Sequence, residues 1–133
     1  MTMEELSNRL PNGLHDAYLL GLNVDYTKCE LRLELKLDVS AYPQGNPDYS
    51  VGTVLIRGLR YLVIDGPPPI APGDTSKLSY IDGIETRPWQ IDSSHLPPVG
   101  DAVFRYSIFM GDWNSYMHFA GESAEIEPGD LLL

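Results

Sequence analysis

Three histidines, His15, His95 and His118, are the side chains of this sequence best suited to act as a base or to bind a metal. His15 stands beside Asp16, which suggests an imidazole oriented by a carboxylate. Adjacent residues in an extended chain point to opposite faces, however, so Asp16 is read as an Asx-turn residue at a strand entry. No histidine stands at metal-ligand spacing. A lone cysteine supports neither an intramolecular disulfide nor a multi-cysteine zinc site, and Cys29 is read as a small apolar residue. The run Gly121-Glu122-Ser123-Ala124-Glu125 misses the hydrolase elbow because it ends on Glu125 where glycine is required. Phosphate-loop, dinucleotide and calcium-loop patterns are absent. No catalytic residue, cofactor or metal is assigned, and binding without chemistry is the favoured reading.

Aromatic residues gather in the second half of the chain, among them Trp89, Phe104, Tyr106, Trp113, Tyr116 and Phe119. Most are expected to fill a core, as large apolar rings do in small β domains. The alternative is a small-molecule-binding protein or small enzyme whose pocket is formed by Trp89, Tyr106 and His118, with His118 as its titratable group.

Charge narrows the range of partners. Nine Lys and Arg stand against nineteen Asp and Glu, a net charge of −10 that repels nucleic acid and anionic lipid surfaces. Residues 101–133 hold one basic and six acidic side chains, so half of the imbalance lies in the last quarter. Asp112, Glu122, Glu125, Glu127 and Asp130, with Trp113 at an expected hairpin tip, are therefore candidate contacts for a basic protein. The acidic, polar start lacks a signal-peptide pattern, and no apolar run approaches the roughly 18 residues of a membrane span. A cytoplasmic protein is expected.

The elements that must carry these residues are mostly strands. Thr2 and Glu5 match a capping box, and Met3, Leu6 and Leu10 follow at helical spacing, which predicts a short N-terminal helix. Leu31, Leu33, Leu35, Leu37 and Val39 alternate with Arg32, Glu34, Lys36 and Asp38, the pattern of a strand with one dry and one wet face. Upstream, Leu20, Leu22 and Val24 repeat the alternation, which predicts a hairpin with its turn near Tyr26 to Lys28. Val51–Ile56 and Leu59–Ile64 read as strands separated at Gly58 and buried on both sides. The prolines after Asp65 end the second of them. Val103–Met110 and Tyr116–Ala120 read as a second hairpin, and Ser123–Ile126 as a closing strand. Residues 1–133 are expected to form one mainly β domain. Its twisted antiparallel sheet would fold into a small sandwich or half-open barrel, as a monomer or as a homodimer through a sheet edge.

The segment Leu14-His15-Asp16-Ala17, the first hairpin and Arg57 to Asp65 together resemble a loose group of small, uncharacterised bacterial proteins. Several of those are immunity-like or accessory-like. The resemblance covers residues 14–65 and implies partner binding, and it carries no functional residue with it.

Overall fold

The computed structural model describes residues 1–14, 17–39, 49–64, 81–84, 94–110 and 115–127; for 81–84 and Ser115 it describes the backbone alone. The helix α1 (Met3–Arg9) begins where the capping box requires. Thr2 Oγ1 accepts the Glu5 N–H at 3.1 Å, and Glu5 Oε2 accepts the Thr2 N–H at 3.0 Å. Such a reciprocal cap contributes about 1 kcal/mol. It also fixes the roll of the helix, so Met3 and Leu6 are buried while Glu4 and Glu5 stay in water.

Among the described residues eight strands follow: β1 (Tyr18–Asp25), β2 (Glu30–Asp38), β3 (Tyr49–Arg57), β4 (Tyr61–Ile64), β5 (Ile81–Ile84), β6 (Phe104–Met110), β7 (Ser115–Gly121) and β8 (Ser123–Ile126). They form two four-stranded antiparallel sheets, ordered β1-β2-β3-β8 and β4-β7-β6-β5, packed as a sandwich. The expected mainly β domain with a short N-terminal helix is what forms, and among the described residues the sheets make no closed barrel. The alternating leucines behave as their spacing requires. Leu31, Leu33, Leu35 and Leu37 are buried against Ile108, Met117 and Phe119 of the other sheet. Helix α1 packs on β8 and β6, one strand from each sheet, and its apolar face joins that same core.

Three expectations change. In β1 the pairing passes from Leu19 opposite Leu35 to Gly21 opposite Glu34, so Leu20 is an extra, bulged residue and stands 51% exposed. Leu19, outside the expected alternation, takes the buried position, and Leu22 on this edge strand is 40% exposed. In β3, burial on both sides holds for Val54, Leu55 and Ile56, whereas Val51 is exposed. Cys29 is exposed as well. It closes the β1–β2 turn at φ 53°, and its carbonyl accepts the Leu59 N–H at 2.8 Å. The same turn is organised by Asp25, whose Oδ1 accepts from the Thr27 hydroxyl and from the backbone of Thr27 and Lys28. The Thr27 hydroxyl, more than any other neighbour, holds the Asp25 carboxyl below its ordinary range.

The sheets are joined by one bent ribbon. Residues 54–64 pair with residues 117–126 along both sheets, from Ile64 opposite Met117 to Val54 opposite Ile126. Between Tyr61–Ala120 and Arg57–Ser123 lie three residues on one strand, 58 to 60, and two on the other, 121 and 122. The mismatch bends the ribbon from one sheet into the other. Backbone bonds from Glu122 N–H to the Arg57 carbonyl (2.9 Å) and from Arg60 N–H to the Ala120 carbonyl (2.8 Å) secure the bend. Gly58 adopts φ +63° there. A Cβ at Gly121 would lie 2.5 Å from Ile56 Cγ2 and 3.2 Å from the Arg57 carbonyl oxygen. Gly121→Ala should therefore lower the unfolding free energy by about 1–3 kcal/mol, the usual penalty for overpacking a tight site. Urea denaturation measures the loss, and an unchanged midpoint would show that the bend accommodates a side chain.

Candidate functional site

The hairpin β6–β7 sets Ser107 opposite His118 on the face of its sheet turned away from the inter-sheet core. The Ser107 hydroxyl and His118 Nδ1 lie 2.7 Å apart. Around them the Tyr116 ring stacks on His118 at 5.5 Å and 18°, and His95 meets it edge-on at 5.5 Å. The Phe109 ring extends the cluster by packing on Tyr116. A hydroxyl within hydrogen-bond reach of an imidazole is half of a nucleophile–base pair. His118 is only 1% exposed, however, and Ser107 is buried with it, so the bond satisfies two interior polar groups.

The expected pocket of Trp89, Tyr106 and His118 is corrected by the same register. Tyr106 pairs with Phe119 and His118 with Ser107, and consecutive residues of a strand face opposite ways. Tyr106 therefore enters the inter-sheet core, its ring tilted against that of Phe119 at 5.8 Å, while His118 points to the other side. Trp89 lies outside the described residues, as do His15 and Asp16. Burial raises the Tyr106 phenol well above its ordinary range, against a smaller opposing effect of its hydrogen bond to Ser7 on α1.

Of the six candidate contacts for a basic protein, Asp112, Trp113 and Asp130 lie outside the described residues. Of the other three, Glu125 lies in β8, Glu122 immediately before it and Glu127 immediately after it. Each meets an arginine that sequence reasoning did not assign to it. Arg60 Nη2 lies 2.6 Å from Glu122 Oε1, Arg57 Nε 2.9 Å from Glu125 Oε1, and Arg32 Nε 2.7 Å from Glu127 Oε1. Glu30 joins from β2, at 3.3 Å from Arg32 and 3.6 Å from Arg57. Hydrogen bonds to Glu127 and Glu125 raise the Arg32 and Arg57 guanidinium pKa values, so both cations are permanent. Side-chain exposure at Glu122 and Glu125 is 56% and 46%, and pairs this wet contribute about 0–1 kcal/mol each. Their main effect is positional, since each carboxylate is held by one oxygen on the sheet surface. The arginine of the β2 charge stripe, read from sequence as solubility, thus ties β2 to the segment after β8.

Among the described residues, no group of three or more His, Cys, Asp or Glu side chains is placed to hold a metal ion. No described helix is long and apolar enough to cross a membrane. Comparison with known proteins finds no matching family, no similar curated protein and no similar solved structure.

Two measurements check this geometry. Ser107→Ala removes the partner of a buried imidazole nitrogen and should cost about 1–3 kcal/mol in urea denaturation. A neutral result would mean that Nδ1 is satisfied elsewhere. Tyr106 keeps its proton longer in the fold than in the unfolded chain, whose tyrosines titrate near 10.0. Its stabilising contribution is complete below that pH and is lost as pH rises toward the folded value. Unfolding free energy should therefore fall above about pH 10, and less steeply in Tyr106→Phe. Parallel slopes for the two proteins would remove Tyr106 as the cause.

Proposed function

We propose that the protein is a non-enzymatic binding module of the immunity or accessory type, and that it engages a basic protein through the carboxylates along β8. The carrying observation is the way these carboxylates are held. Arg60, Arg57 and Arg32 each contact Oε1 of their glutamate, and Oε2 of Glu122, Glu125 and Glu127 has no bond among the described residues. An incoming Lys or Arg can therefore bond the second oxygen without displacing the first cation. The side chains are ordered before the partner arrives, which reduces the entropy lost on association. The chain's net charge of −10 attracts a basic partner from a distance, with an ionic-strength dependence that follows from screening.

Capture from a host lysate at low and high salt, with zero-length carboxylate–amine cross-linking, tests the proposal. The expected result is a basic protein that is released by salt, cross-linked to Glu122, Glu125 or Glu127, and lost from the triple Glu→Gln variant. That variant should still fold, because the three surface pairs together contribute only a few kcal/mol at most. Retention of no basic protein at low salt, or equal retention by the variant, would overturn the assignment.

A further inference from the structure

Between α1 and β8 lies a cavity of about 440 Å3 lined by Met1, Leu6, Arg9, Glu125 and Ile126. The volume falls within the range of small-molecule sites, roughly 300–1,000 Å3. Its walls are fixed without a ligand. The capping box sets α1, the pairing of Ile126 with Val54 sets β8, and the Ala124 N–H donates to the Met1 carbonyl at 2.7 Å across the two. Leu6 is buried, and Ile126 packs against the inter-sheet core, so the apolar wall continues that core to the surface.

Three lining groups carry charge: the Met1 ammonium, which donates to the Ala124 carbonyl at 3.5 Å, and the Arg9 and Glu125 side chains, which are unusual in their partners. Five arginines fall among the described residues. Arg32, Arg57 and Arg60 each hold a carboxylate, Arg105 reaches the Val99 carbonyl, and Arg9 has no such partner. Glu125 gives Oε1 to Arg57 and leaves Oε2 without a bond among the described residues. Arg9 and Glu125 form no ion pair with each other, though they line one cavity. The site therefore offers a guanidinium fork, a carboxylate oxygen and an aliphatic wall at once.

One class of small molecule answers all three, and we propose that the cavity binds a free α-amino acid with an apolar side chain, of the leucine, methionine or phenylalanine type. Its carboxylate pairs with Arg9, where a planar guanidinium gives two-point recognition. Its ammonium donates to Glu125 Oε2, and its side chain lies on Leu6, Met1 and Ile126. A fatty acid would leave the Glu125 oxygen facing a ligand of like charge, and an alkylamine would leave Arg9 unmatched. The site consequently selects the zwitterion over either singly charged analogue. This inference goes beyond protein docking along β8 and does not rest on it, although both readings use Oε2 of Glu125, so an amino acid and a basic partner would compete for that one oxygen.

Isothermal titration of the purified full chain with L-leucine, L-methionine and L-phenylalanine tests it, alongside backbone amide shifts. At least one of the three should bind saturably and move the resonances of Leu6 and Ile126. Leucinamide and N-acetyl-leucine, each lacking one charge, should bind about tenfold more weakly or worse. Arg9→Gln and Glu125→Gln should each weaken the amino acid by a similar factor, the loss typical of one charge-assisted hydrogen bond. Absence of heat and shifts with all three amino acids overturns the proposal. So does equal binding of the blocked analogues, or undiminished binding by both variants. A failed capture of a basic protein would leave these results unaffected, and the two readings can fail separately.

Discussion

The fold depends on a single bend. Residues 54–64 and 117–126 form one antiparallel ribbon that serves both sheets, so every core contact between the sheets presupposes its turn at Gly58 and Gly121. Two constraints meet there. The chain needs a left-handed residue at position 58, which costs glycine nothing and other residues about 1–2 kcal/mol. It also needs close approach at position 121, where Ile56 occupies the space of a side chain. Because Ile56 is itself part of the core, the tight fit at the bend and the packing between the sheets are one requirement.

The acidic strand is a dependent of the same bend. Glu122 sits in it, with its N–H on the Arg57 carbonyl and its carboxylate on Arg60. Glu125 and Glu127 then follow along the edge of the first sheet and meet arginines from β3 and β2. Positive charge from two distant stretches of the sequence, Arg32 in one and Arg57 with Arg60 in the other, thus converges on carboxylates that lie within six residues of one another. The surface is less negative locally than the sequence suggests, and far better ordered.

What the sequence made legible was local. The β2 leucines could be assigned to a dry face because the two-residue repeat is uninterrupted, and the capping box because its two members lie three residues apart. The second hairpin was readable from its apolar runs, and its register put Ser107 on His118 once the strands were paired. Leu20 was misplaced because a bulge changes the phase of an edge strand without leaving a mark in composition. Cys29 was misread because its exposure follows from turn geometry, which outweighs the usual burial of its side chain. Trp89, Tyr106 and His118 were grouped by aromatic content, a property blind to the face on which each ring emerges. The arginine–glutamate pairs were invisible for a different reason, since Arg32 and Glu127 lie 95 residues apart.

That distance along the chain has a kinetic meaning. The hairpins β1–β2 and β6–β7 close over a few residues, but the ribbon joins Tyr61 to Ala120 and Val54 to Ile126, far apart in the chain. Chain entropy opposes such closures until enough apolar surface is buried to offset them. The local hairpins are thus free to form early, while the bend that defines the sandwich is completed late. Until it closes, β3 and β4 expose strand edges that can pair with another chain, and the time spent in that open state sets the danger of aggregation during synthesis.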